Sequence, residues 1–399
     1  MENIKNITPK RKIILCFVSY YLPGFRSGGP VRTIANFVDH LGDEFDIRIV
    51  TRDHDALVAE PYPNVVIDAW NTVGKAQVFY ASDKMVNLRG IATLLSETSH
   101  DVLYLNSFFA FGFTGLPLLA RRLGFAPRTP CVIAPRGEFS VGAVTLKATK
   151  KQIYMGLVKA LGLYQNLHWQ ASSDFEKADI SREFGSVARW VYVAPDLTPV
   201  VTPDLNTTSS RAPGPLRFVF LSRISPMKNL DFLLRVLAKV SINVKLAIYG
   251  PQEDLQYWEH CLSLIKQLPE NINVTLGGNV PQKQVRKVFS EHDVFVFPTR
   301  GENFGHVIFE SLSAGTPVLV SDQTPWQSDG HGGIQVLSLD EPLWVDTIEL
   351  WARFDEESLV KRHAAATDYA IQYTANNLPL QQNREVFYTA AMSTKQKRL

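Results

Sequence analysis

Short apolar runs bounded by turn residues alternate along the whole chain with stretches of helical period, the pattern of parallel βαβ units with helices on both sheet faces. In the first half these runs predict strands at Lys12–Val18, Asp46–Thr51, Val102–Leu105, Cys131–Ala134, Leu167–Ala171 and Trp190–Val193. In the second half they fall at Leu216–Ser222, Val244–Tyr249, Val274–Leu276, Asp293–Phe297 and Pro317–Ser321. Residues 198–215 are rich in Pro, Thr, Ser and Asn and carry no apolar period, which marks a linker. The expected organisation is an α/β domain over 1–199, a linker over 200–215 and a second α/β domain over 216–379. A final helix over 380–399 is set apart by Asn376-Asn377-Leu378-Pro379.

Composition adds bounds. The chain has 399 residues, 45% of them hydrophobic, enough for two separate cores. A net charge of +2 argues against nucleic acid as a partner. Cys16 and Cys131 lie in strand-like runs and Cys261 in a helical one, so the three are expected to be buried, reduced thiols. The polar Met1–Arg11 leads into a strand, and no apolar run approaches the ~20 residues that span a bilayer. The expected location is cytoplasmic.

The chemistry concentrates at strand ends. After the strand ending at Phe297, Glu302-Asn303-Phe304-Gly305 enters a helix over Val307–Ala314 that contains Glu310. Backbone N–H groups of Asn303, Phe304 and Gly305 are placed to meet a ligand oxygen. Glu302 and Glu310, about two helical turns apart, are placed to accept from hydroxyls at opposite ends of an extended ligand. By spacing alone, a solvated and a capping carboxylate are the ordinary alternative. After the strand ending at Ser222, Arg223 and Lys228 flank a helix start that Asn229 is placed to cap, an arrangement suited to a diphosphate. The next strand ends in Tyr249-Gly250-Pro251, where glycine allows close backbone approach. In the first half, Gly28-Gly29-Pro30 follows the first strand and matches neither a GxGxxG nor a P-loop pattern. Pro135-Arg136-Gly137-Glu138 is either a loop ion pair or a charged pair facing a substrate.

Taken together these residues resemble the retaining, nucleotide-sugar-dependent glycosyltransferases of family 4, over nearly the whole chain. The resemblance implies the GT-B fold: two Rossmann-like α/β domains whose parallel sheets face a central cleft, with the last helix crossing back to the N-terminal domain. It implies catalytic roles for Arg223, Lys228 and Glu302. Arg223 and Lys228 would bind the diphosphate, Glu302 with Asn303, Phe304 and Gly305 the donor sugar, and Glu310 the ribose. Gly28, Gly29 and Gly250 would line the donor, and Val280 would meet the base. Where many relatives carry a histidine near the sugar, this chain has Asn106-Ser107, so Asn106 or Ser107 takes that contact. Arg136 and Glu138 are placed on the acceptor side. The common Pro-Asn-Gly junction turn is replaced by Ala194-Pro195-Asp196-Leu197.

The implied reaction is same-face transfer to a glycan or lipid-linked acceptor in cell-surface polysaccharide synthesis. No cofactor or metal is expected, because two fixed cations supply what a divalent ion would. The alternatives are a sugar-nucleotide epimerase of the same architecture, for which no acid/base set stands out, and a non-catalytic sugar-nucleotide-binding assembly protein. Finally, Leu146–Leu161 reads as a helix with Lys147, Lys150, Lys151 and Lys159 on one broad face beside an apolar stripe of Leu146, Ile153, Leu157 and Leu161. That face suits an anionic membrane surface, peripheral on the inner side of the plasma membrane; an ordinary helix packed on its sheet is the alternative.

Overall fold

The computed structural model describes residues 11–140, 148–199 and 214–393. The linker expected at 200–215 lies almost wholly outside the described residues, as do Leu146 and Lys147. The chain divides into two compact units, one of Met1–Phe139, Leu146–Leu197 and Leu378–Leu399, the other of Ser140–Thr145 and Thr198–Asn377.

The first unit is built on an eight-stranded sheet in the order β3-β4-β2-β1-β5-β6-β7-β8. Its strands are β1 (Ile13–Phe17), β2 (Asp46–Arg52), β3 (Trp70–Val73), β4 (Ala76–Ala81), β5 (Val102–Asn106), β6 (Cys131–Ala134), β7 (His168–Ala171) and β8 (Trp190–Val193). All pair in parallel except the β3–β4 hairpin. The central strands are covered on both faces, which is why β1, β5 and β6 read as unbroken apolar runs. The helices are α1 (Gly29–Leu41), α2 (Leu88–Glu97), α3 (Leu116–Arg122), α4 (Ala148–Ala160) and α5 (Asp174–Phe184).

Helix α4 departs from expectation. Met155 and Val158 face the core, whereas Ile153, Leu157 and Leu161 are 66%, 57% and 45% exposed. Among the described lysines, Lys150 and Lys159 are exposed and Lys151 is half-buried; Lys151 lies 5.0 Å from the Phe109 ring centroid and Lys159 5.0 Å from that of Phe184, contacts in which an aromatic face attracts the ammonium.

The second unit carries a fully parallel six-stranded sheet in the order β11-β10-β9-β12-β13-β14. These are β9 (Leu216–Leu221), β10 (Val244–Tyr249), β11 (Ile272–Gly278), β12 (Val294–Phe297), β13 (Val318–Ser321) and β14 (Ile334–Leu337). Its helices are α6 (Leu230–Leu237), α7 (Leu255–Ile265), α8 (Gln282–Ser290), α9 (His306–Ser313), α10 (Glu341–Ala352) and α11 (Glu356–Ala375). One core runs through it, from Phe218 and Leu233 to Trp344 and Trp351.

The last helix, α12 (Leu378–Met392), belongs to the first unit. Its Phe387 is fully buried with ring centroids 5.0 Å from Phe37 and 4.9 Å from Tyr104. Asn383 fixes the register: its amide donates to Pro195 O at 2.8 Å and its carbonyl accepts from Gln170 Nε2 at 3.0 Å.

Candidate functional site

In the second sheet β9 lies between β10 and β12, so successive connections run outward in opposite directions from it. Crevices open at such reversals, beyond the carboxyl ends of the strands. The segments after β9 and β12 meet there. Arg300 N donates to Met227 O at 2.8 Å and Asn229 Nδ2 to Pro298 O at 2.8 Å, which ties the two loops together. The result brings Lys228 against Glu302 as an ion pair whose side chains are 9% and 16% exposed, with the ammonium 5.7 Å from the Phe297 ring centroid.

Lys228 is therefore a buried, paired cation. Its partner was assigned separately to the donor sugar. Arg223 stands at the more open rim and pairs with Glu253 at 2.6 Å. Asn229 also departs from expectation. It precedes α6 with φ 61°, makes no side-chain capping hydrogen bond, and instead its side chain donates to Pro298 O and accepts from Arg300 Nε at 2.9 Å. Arg300 was not singled out from the sequence, although it follows β12 two residues before Glu302; the signal was position at that strand end.

The loop into α9 is pinned from two sides. Glu302 N donates to Gln323 O at 3.0 Å, and the Trp326 indole donates to Phe304 O. Gly305, with φ 82°, turns the chain into α9, where Glu310 accepts from Gln282 Nε2 at 3.1 Å. Gln282 opens α8 just after Val280, which is half-buried against the core. Gly250 has a structural reason for its identity. At φ 134° an added Cβ would lie 1.8 Å from Ser222 O, so the close approach it permits is to the neighbouring loop's carbonyl.

The first sheet has its own reversal at β1, which lies between β2 and β5. After β1, Gly28 adopts φ 64° and Gly29 begins α1. A Cβ at Gly28 would meet nothing within 4 Å, so the turn, not crowding, requires glycine. The Asp55 carboxylate steadies this loop by accepting from Phe25 N at 3.0 Å and Arg26 N at 3.2 Å.

At the end of β5, Asn106 is buried and its side-chain carbonyl accepts from Arg136 Nε at 3.2 Å and Nη2 at 3.0 Å. Ser107 donates to Glu138 Oε1 at 2.6 Å, and Phe109 N to Glu138 Oε2 at 3.0 Å. Arg136 and Glu138 do not pair with each other, contrary to the loop ion pair considered above. Arg136 pairs with Asp196 and donates to the Tyr104 hydroxyl, while Glu138 is held by Ser107 and the Phe108 and Phe109 amides. Burial pushes the Glu138 carboxyl above its ordinary value, against those hydrogen bonds. Asp196, which also accepts from Thr33 Oγ1 at 2.8 Å, is a second residue the sequence reading left without a role. Its signal was the altered turn Ala194–Leu197.

Residues 205–329 match the family model described as glycosyl transferases group 1. The D-inositol 3-phosphate glycosyltransferase of Stackebrandtia nassauensis is 30% identical over 169 residues, 39% of this chain and 38% of that protein. An uncharacterized glycosyltransferase of Methanocaldococcus jannaschii is 34% identical over 105 residues, 26% of either chain. The matches thus span well under half of these relatives. Among solved structures, Anabaena HepE in complex with UDP and glucose superposes with TM-score 0.65 and 15% identity, covering 95% of this chain and 99% of that one. Sucrose-phosphate synthase from Thermosynechococcus elongatus gives TM-score 0.70 and 15% identity over 96% and 100%. The fold is GT-B, with two parallel-sheet α/β domains.

Proposed function

We propose that this protein is a retaining glycosyltransferase of family 4 that moves a sugar from a nucleoside diphosphate sugar to a glycan or lipid-linked acceptor in cell-surface polysaccharide synthesis. The observation that carries the reading is the Lys228–Glu302 pair at the reversal of the second sheet, inside the residues matched by the glycosyltransferase model. The transferase and synthase names of the relatives above, and the UDP and glucose bound by HepE, support transfer over epimerisation.

In this reading the donor exchanges partners with the protein. The diphosphate takes Lys228 from Glu302 and Arg223 from Glu253, and Glu302 turns to the sugar hydroxyls while Glu310 accepts from the ribose. The bond from the anomeric carbon to the diphosphate oxygen breaks through an oxocarbenium-like state. The acceptor oxygen bonds to the same face, and its proton passes to the departing diphosphate. Cations preorganised at the leaving oxygen stabilise the charge that develops there, which is the largest catalytic contribution expected. The same cations make the reaction independent of divalent metal, so a chelator leaves turnover unchanged. On the first unit, Asn106, Ser107, Arg136 and Glu138 form the proposed acceptor side.

Among the described residues no helix is long and apolar enough to cross a membrane. The exposed stripe Ile153–Leu157–Leu161 supports peripheral seating on a bilayer, by apolar insertion rather than by lysine attraction. Vesicle co-sedimentation that resists salt and disappears in Leu157→Glu is the expected result. The reaction itself is tested by following nucleoside diphosphate release from donor sugars with acceptor glycans and reading the anomeric configuration of the product by NMR. Released nucleotide with a retained linkage supports the proposal; an inverted linkage or a free epimerised nucleotide sugar refutes it.

A further inference from the structure

Glu310 is set against the field of its own helix. It lies in the last turn of α9, where the carbonyl ends of the peptide dipoles disfavour a carboxylate. Helix stability therefore gives no reason for an acid at this position. Gln282, at the start of α8, donates Nε2 to Glu310 Oε1 at 3.1 Å. Chemistry fixes the orientation of that amide, because an ionised carboxylate only accepts and the glutamine must turn its NH2 group toward it.

The two residues are brought together by buried structure rather than by their own contact. Val285, Val288 and Phe289 seat α8 in the core of the second unit. Thr316, just past α9, donates Oγ1 to Phe289 O at 2.8 Å and its carbonyl accepts from Ser311 Oγ at 2.8 Å, with all three residues buried. The relative placement of α8 and α9 is thereby fixed. Lys283, Arg286 and Lys287 follow on α8, yet the side chain that meets Glu310 is the neutral one. A cation there would neutralise the carboxylate and compete with hydroxyl donors, whereas an amide holds one oxygen and leaves the negative charge in place.

We propose that Gln282 is a positioning residue: it aims the Glu310 carboxylate at the ribose hydroxyls and so makes the site prefer a nucleoside diphosphate to its deoxy form. The inference rests on the reading that places Glu310 at the ribose. The physical basis is preorganisation. Without Gln282 the Glu310 side chain must be ordered when the nucleotide binds, and that cost is subtracted from the hydroxyl contact alone. A nucleotide lacking the hydroxyl never draws on the contact, so it does not register the loss.

The test is calorimetric titration of the full chain and its Gln282→Leu, Glu310→Ala and doubly substituted variants with uridine, guanosine and adenosine diphosphates and with their 2′-deoxy and 3′-deoxy forms. Gln282 is exposed, so its replacement keeps the fold. For the nucleotide that binds, the wild type should prefer the ribose form over at least one deoxy form by about tenfold. Gln282→Leu should bring that ratio to about threefold or less while leaving the affinity for the deoxy form unchanged, and Gln282→Leu added to Glu310→Ala should cost nothing further. Equal weakening of both forms in Gln282→Leu overturns the proposal, because a merely structural glutamine acts on both alike. If Glu310→Ala removes the ribose preference and Gln282→Leu keeps it, the positioning role is overturned and the ribose contact stands. If the wild type shows no ribose preference, or binds none of these nucleotides, the reading beneath the proposal falls with it.

Discussion

Lys228 and Glu302 each meet the other before any ligand arrives, and this determines what their replacement does. Lys228→Ala leaves a buried carboxylate without its partner, so stability should fall by roughly 3 kcal/mol, measured by urea denaturation. Turnover should fall about a hundredfold through lost leaving-group stabilisation. A Lys228→Met/Glu302→Gln double variant separates the two effects: it regains most of the stability and none of the turnover. Recovery of turnover would show that the pair acts structurally. A different test concerns His100, whose pKa burial lowers from 6.5. The unfolded chain then takes up a proton more readily than the native one, so the stability held above pH 6.5 is lost as pH falls through the native value. Between about pH 7.5 and about pH 5.5 the wild type should lose more stability than His100→Gln. Equal losses would mean that the native ring is accessible to protons.

At the level of elements, Cys131–Ala134 was readable to the residue because that central parallel strand is apolar on both faces, and Val244–Tyr249 and the edge strand Trp190–Val193 were equally readable from their short, mostly apolar runs bounded by polar or turn residues. Edge strand β3 was not read because it is only half-covered and its Trp-Asn-Thr-Val run resembles a loop, and its partner β4 was passed over although Ala76–Ala81 is apolar and buried. Strand β14 was hidden behind Gly330, Gly332 and Gly333. Helix α4 shows a different limit: periodicity picked out Leu146, Ile153, Leu157 and Leu161 as the apolar stripe and passed over Met155 and Val158, which are the residues that face the core. Helix α12 gives a direct test of element packing. Phe387→Ala should cost about 3–5 kcal/mol, because its cavity opens among Phe37, Phe45 and Tyr104. A loss under about 1 kcal/mol would mean that this helix contributes little to the first unit's core.

For the molecule as a whole, the strand ends were legible from their apolar runs, and the structure sets Gly28, Ser107, Arg136, Arg223, Gly250 and Glu302 after parallel strands, the edge at which parallel sheets collect ligands. What stayed hidden was long-range pairing. Lys228 and Glu302 are 74 positions apart and Arg136 and Asp196 are 60 apart, distances over which one sequence carries no signal of contact. In place of two open cations the structure has Lys228 held by Glu302 and Arg223 held by Glu253. The central claim is that the second unit grips a nucleoside diphosphate sugar, with Glu310 on the ribose and Glu302 on the sugar. It is tested most directly by calorimetric titration of the full chain, its Glu310→Ala and its Glu302→Ala variants with uridine, guanosine and adenosine diphosphates. The account predicts that one of these nucleotides binds the wild type, that Glu310→Ala weakens it about tenfold, and that Glu302→Ala does not. Absence of binding by all three, or equal weakening in both variants, would contradict it.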